Sequence, residues 1–186
     1  MTGIIGTTIF SLASMIFSKN TIVSNSTSQP NKSFYDLKLT TLDGEILHLE
    51  KFRGKKIMIV NVASRCGFTS QYKSLQDLCD KFGDKIEIIG VPCNDFGGQE
   101  PGSSSQIKNF CSTKYNITFT MSEKQNIKSN PRSNLYKWLS NPELNGWNKK
   151  LPTWNFCKYL INEDGHLTHF FQSSVNPMSE KILSLL

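Results

Sequence analysis

"KKIMIVNVASRCGFTSQYKSLQDLCDKFG", residues 55–83, carries the pattern that decides the fold. Residues 55–64 are a continuous apolar run ending in small residues, as expected of a strand covered on both faces. Residues 70–83 then place Tyr72, Leu75, Leu78, Cys79 and Phe82 at helical spacing, and Gly83 closes the segment. "KIEIIGVP", residues 85–92, is a second buried strand. The unit is strand, helix, strand, which favours two parallel strands at the centre of one sheet.

On the N-terminal side, "FYDLKLTTLDGEILHLEKF" (34–52) alternates apolar positions around Asp43-Gly44 and reads as a β-hairpin. On the C-terminal side, "SSSQIKNFCSTKYN" (103–116) reads as a helix whose serines can cap the free amides. "CKYLINEDGHLTHFF" (157–171) gives two strand-like runs about a turn, and "MSEKILSLL" (178–186) a closing helix. The expected class is α/β: a central mixed β-sheet flanked by helices, with an N-terminal β-hairpin.

The 186 residues, 38% hydrophobic, suffice for one core. Lys and Arg number 21 against 15 acids, a charge of +6, but they are scattered. That argues against nucleic acid as a partner and allows a mild attraction for small anions. Five cysteines, an odd number, demand no disulfide framework. No C-x-x-C occurs, and no spacing to His48, His166 or His169 matches a zinc pattern, so no metal site is expected.

Residues 1–33 are different material. "GIIGTTIFSLASMIFS" (3–18) carries no charge, and "SNSTSQPNKS" (24–33) is polar and turn-rich. This predicts an export signal or an uncleaved membrane anchor followed by a linker, hence a periplasmic, secreted or membrane-anchored protein. A mis-assigned start, with a cytoplasmic protein, is the alternative. The working domain is expected over 34–186.

Three stretches can carry chemistry. Cys66 follows a strand and precedes a helix, where ligand sites form in open α/β sheets and where free amides and Arg65 favour a thiolate. A buried structural cysteine is the alternative. "VPCNDFGGQEPG" (91–102) is a shaped loop whose Asn94 and Gln99 offer polar groups without titratable protons. By itself it reads as backbone satisfaction. "PTWNFCKYL" (152–160) sets Trp154, an N–H donor, beside Asn155; alone, such a Trp is packing.

Together, "NVASRCGFTSQYKSL", "GVPCNDFGGQEPGS" and "WNFCKYLINEDG", in this order and at these separations, closely resemble the motifs of the glutathione peroxidase family. The resemblance runs from about Phe34 to Leu186. It implies a thioredoxin-like fold and a peroxide-reducing tetrad of Cys66, Gln99, Trp154 and Asn155. Cys66 would attack hydrogen peroxide or an organic hydroperoxide and become a sulfenic acid, with no bound cofactor. Selenium members of the family carry selenocysteine where this chain has Cys66. The cysteine members commonly use a resolving cysteine, which the resemblance places at Cys111, with Cys93 as the alternative; the helix around 105–114 would then partly unwind. Thioredoxin, or else glutathione, would be the reductant.

"LSNPELNGWNKKLPT" (139–153) lacks the longer insertion of tetrameric relatives, which implies a monomer. "FTMSEKQNIKSN" (119–130) is more polar than the family's usual strand and loop. A redox sensor or relay that passes oxidation to a partner protein shares the first chemical step and is the competing reading.

Overall fold

The structure is a computed structural model and describes residues 20–24 and 29–186. In chain order its elements are β1 (Thr21–Val23), β2 (Lys38–Thr40), β3 (Ile46–His48), β4 (Lys56–Val62), α1 (Gln71–Phe82), β5 (Ile86–Pro92), α2 (Ser104–Tyr115), β6 (Thr120–Met121), α3 (Asn134–Leu139), α4 (Pro142–Asn145), β7 (Lys158–Ile161), β8 (Leu167–Phe171) and α5 (Glu180–Leu183).

The apolar run of β4 is continuous because the strand is central. It pairs parallel with β5 on one side and antiparallel with β7 on the other. Ile57 and Ile59 face one core, while Met58, Val60 and Val62 face the other. The sheet order is β1-β8-β7-β4-β5-β6, with β6 parallel to β5 and β8 and β1 antiparallel outward, so the sheet is mixed as expected. The helical spacing of α1 puts Tyr72, Leu75 and Leu78 fully inside the second core. Burial of each such side chain contributes about 1.5–3 kcal/mol.

The hairpin forms as β2 and β3, flanked by 3-10 turns at Phe34–Asp36 and Leu49–Phe52. The serine cap of α2 is a full capping box: Gln106 N–H donates to Ser103 Oγ, and Ser103 N–H donates to Gln106 Oε1 at 2.9 Å.

Two differences from the sequence reading have physical reasons. Helices α3 and α4 were not anticipated, because segments of six and four residues carry no helical period to read. Caps start them instead: Ser133 accepts from Tyr136 N–H, and Asn141 from Glu143 N–H. The following tract is tied down by Asn145 Nδ2, which donates to Trp138 O at 2.7 Å, and Asn148 Nδ2, which donates to Leu139 O at 2.6 Å. The second difference is β1, which lies inside the stretch read as leader and linker. It forms the sheet edge, with Thr21 opposite Phe171 and Val23 opposite His169. The charge-free stretch at 3–18 lies outside the described residues. Among those that are described, no helix is long and apolar enough to cross a membrane.

Candidate active site

Cys66 sits beyond the carboxyl end of β4. It lies in a series of turns that lead into α1, rather than at the helix start: Thr69 N–H donates to Cys66 O at 3.0 Å and Gln71 N–H to Phe68 O at 2.9 Å. Thr69 pins the turn, its Oγ1 accepting from Cys66 N–H and donating to Ala63 O, both at 2.9 Å. The donor that reaches the sulfur is therefore the Phe68 amide, 3.4 Å from Sγ, and not the free amides of α1. Cys66 is 9% exposed, at the margin between core and surface.

The loop after β5 is held by Asp95. Its carboxylate accepts from the amides of Ile127, Lys128 and Ser129 and from the Ser129 hydroxyl. Burial raises its pKa, but these hydrogen bonds outweigh burial and hold the carboxyl at about 2. Asn94, offered by the sequence as a polar group for ligand, instead accepts from Glu100 N–H at 2.9 Å and closes the loop on itself. Gly97 adopts φ +67°, and a Cβ there would lie 3.3 Å from the indole of Trp154. The absence of a side chain lets Trp154 rest on the loop backbone. Phe96 meets the same indole edge-on at 6.2 Å.

Asn155 is fully buried, and its Nδ2 donates to Gln99 Oε1 at 3.0 Å. Its Oδ1 is buried without a hydrogen-bond partner. Trp154, at 38% exposure, is the solvent-facing member of the group. Arg65 N–H donates to Gln99 O at 3.1 Å and fastens the Cys66 turn to this loop. Gln99, Trp154 and Asn155 are thus brought together, and one backbone bond ties the turn of Cys66 to them. Among the described residues no side-chain hydrogen bond joins the sulfur itself to the three.

Asn61 is the residue that joins β4 to the Trp154–Asn155 segment. Its Nδ2 donates to Trp154 O and its Oδ1 accepts from Cys157 N–H, both at 3.0 Å, while its carbonyl accepts from Phe156 N–H. Phe156 takes φ +66°, a costly conformation for a bulky residue that the Asn61 bridge supports. A polar residue inside an otherwise apolar strand was the available signal for Asn61. Thr69 and Asp95 had none, because their partners are distant or backbone.

Cys111 is buried on α2, in the same hydrophobic cluster as Cys66, Tyr72 and Ile107. Burial pushes its thiol up to about 11, with nearby Tyr72 pulling the other way. Cys93 lies in the cluster on the opposite sheet face, and burial pushes it up to about 12. All five cysteines are free thiols. Among the described residues no group of three or more His, Cys, Asp or Glu could hold a metal.

This arrangement sets a thiol on a turn beside a cluster of neutral donors and acceptors. The family profile described as Glutathione peroxidase matches residues 34–140. The chain is 39% identical to a glutathione peroxidase-like peroxiredoxin of Chlamydomonas reinhardtii over 160 residues, covering 83% of this chain and 98% of that one. It is 41% identical to a glutathione peroxidase-like peroxiredoxin of Saccharomyces cerevisiae, covering 83% and 97%. With a hydroperoxy fatty acid reductase of Synechocystis the identity is 40%, covering 81% and 93%. The crystal structure of Trgpx in apo form superposes with a TM-score of 0.61 at 32% identity, covering 83% and 95%. A thioredoxin family thiol:disulfide interchange protein from Chlorobium tepidum, at 15% identity and a TM-score of 0.55, covers 87% and 98% and shares the fold alone. The fold is thioredoxin-like, and this chain belongs to the glutathione peroxidase family and is a peroxidase.

Proposed function

We propose that the enzyme reduces hydrogen peroxide and organic hydroperoxides through Cys66, is resolved by Cys111 and is recycled by thioredoxin. The observation that carries this reading is the Phe68 amide aimed at the Cys66 sulfur, on a turn fastened to Gln99 by the Arg65 amide. The Cys66 thiolate attacks the terminal oxygen of the peroxide and the O–O bond breaks. Sulfur is oxidised to the sulfenic acid, and the departing alkoxide or hydroxide takes a proton to leave as alcohol or water. Gln99, Asn155 and the Trp154 indole supply hydrogen bonds to the oxygens in transit without offering an acidic proton.

The Cys111 thiol then displaces water from the sulfenic acid and forms a disulfide, which a thioredoxin dithiol reduces back to two thiols. Cα atoms must come within about 7 Å for that bond, and the helix around residues 105–114 partly unwinds in the oxidised enzyme. Support for Cys111 over Cys93 comes from its place in the same cluster as Cys66, whereas Cys93 is across the sheet. Hydroperoxy fatty acid reduction by the Synechocystis relative favours bulky hydroperoxides as substrates here too. We further propose that residues 1–33 direct the protein out of the cytoplasm and that the mature enzyme is a monomer.

Intact-mass analysis after one equivalent of hydrogen peroxide tests the scheme. The wild type should lose two hydrogens, Cys111→Ser should gain one oxygen, and Cys66→Ser should not react. Unchanged multiple-turnover activity of Cys111→Ser with thioredoxin overturns the resolving role, and retained activity of Cys66→Ser overturns the whole reading.

A further inference from the structure

Lys158, at the start of β7, is fully buried. A lysine withdrawn from water is costly unless every proton finds an acceptor. Here Nζ donates to Gln71 Oε1 at 2.6 Å, to Val175 O at 2.5 Å and to Ser173 O at 3.4 Å. None of these is a carboxylate. Its strand neighbours Val60 and Phe171 are apolar, and the preceding Cys157 is the titratable group whose charge reaches it. Burial pushes the ammonium down to about 7. A methionine would fill the same space without that penalty, and the bond that Nζ makes to Gln71 points to a task beyond packing.

What it holds is the first residue of α1. Gln71 is gripped at both ends of its amide, because its Nε2 also donates to Ser173 O at 2.6 Å. Its backbone N–H donates to Phe68 O at 2.9 Å, and Phe68 N–H donates to Cys66 Sγ. The C-terminal segment that closes the grip is itself anchored beside Trp154, where Thr153 Oγ1 donates to Gln172 Oε1 at 2.8 Å. One polar network, buried around Lys158 and exposed at Thr153–Gln172, thus joins the turn of Cys66, the Trp154 segment and the residues after β8.

We propose that Lys158 is a positioning residue for the peroxide-reacting thiol: through the Gln71 side chain it locks the turn whose Phe68 amide donates to the Cys66 sulfur. The inference rests on Cys66 being that thiol. Without the lock the turn keeps the Thr69 bonds but loses its hold at the Phe68 end, so the amide moves off the sulfur and the thiolate loses its donor.

The test uses the full chain with hydrogen peroxide and iodoacetamide as probes, reading alkylation at the Cys66 peptide by mass spectrometry across pH. Lys158→Met and Gln71→Leu should each slow peroxide oxidation of Cys66 about tenfold, the worth of one hydrogen bond to a charged group. Each should also move the midpoint of Cys66 alkylation to higher pH, and the double variant should be no worse than either single one. Gln71→Glu, which keeps an oxygen for Lys158, should recover most of the rate. Variants that only melt earlier, with alkylation midpoint and oxidation rate unchanged, overturn the proposal, as do strictly additive losses. Should Lys158→Met fail to fold, Gln71→Leu decides by the same readouts. A wild-type Cys66 inert to peroxide refutes the functional reading itself, which is a different result from variants that match a reactive wild type.

Discussion

Asn155 donates to Gln99 across two loops that are 56 residues apart in the chain, and its own carboxamide oxygen is buried with no donor facing it. An acceptor left open at the site proposed to handle hydroperoxides is suited to the O–H of the substrate. Asn155→Ala should therefore lower the rate of Cys66 oxidation by about 10²-fold, the usual loss when one preorganised hydrogen-bonding group is removed from a reacting centre. Stopped-flow tryptophan fluorescence under single-turnover conditions measures it. A loss below threefold would show that the carboxamide is structural.

Thr69 carries two hydrogen bonds that shape the Cys66 turn, one from Cys66 N–H and one to Ala63 O. Thr69→Val keeps the volume and removes both. Each buried backbone group left unpaired costs about 1–3 kcal/mol, so the denaturation midpoint should fall at unchanged m-value. Peroxide oxidation of Cys66 should slow in parallel, since the turn sets the angle between the sulfur and the Phe68 amide.

For the proposed resolution by Cys111, the pH dependence separates two routes. Burial within α2 pushes this thiol from its ordinary 9.0 to about 11. Attack requires the thiolate, so the rate rises with pH along either route. If the helix opens first, the exposed thiol regains its ordinary value and the rise levels off near pH 9. Attack from an intact helix would continue rising toward pH 11. The expected outcome is the lower inflection, read from the rate at which the sulfenic acid disappears. The same shift has a consequence for stability. A thiol raised in the folded state supports the fold fully below pH 9, and that support is lost as pH climbs through about 11.

Removing residues 1–33 takes away β1 as well as the charge-free stretch, whereas removing residues 1–19 leaves it. The strand pairs with β8 and sets Ile22 against the core. The longer truncation should lower unfolding free energy by about 1–2 kcal/mol relative to the shorter one, and it should expose the β8 edge to self-association. Turnover with peroxide should be retained in both, because β1 lies at the edge of the sheet, beyond β8 and β7 from β4. Denaturant titration and light scattering of the two proteins check this.

Much of this molecule was legible before folding. The continuous apolar runs of β4 and β5, the helical spacing of α1, the Asp43-Gly44 turn and the serine start of α2 are local signals, written in neighbouring residues, and each becomes the element it announced. Three motifs with their own spacing name Cys66, Gln99, Trp154 and Asn155, and the folded chain sets Asn155, next to Trp154, against Gln99. Helices α3 and α4 were not, since one or two turns leave no period and their caps satisfy backbone that any loop also presents.

Contacts between distant segments were decided only in three dimensions. Asn61 interrupts the apolar run of β4, and its task is set by the Trp154 carbonyl and the Cys157 amide that meet its side chain. Asn94 and Gln99 are equivalent as amides in one loop, yet one turns back on Glu100 and the other meets Asn155. Lys158, an ordinary surface residue by composition, became a buried hub through partners 87 and 17 residues away. Local sequence sets the elements because their energetics depend on neighbours. The donor at Cys66, and what holds it there, depend on which loops the closed sheet brings together.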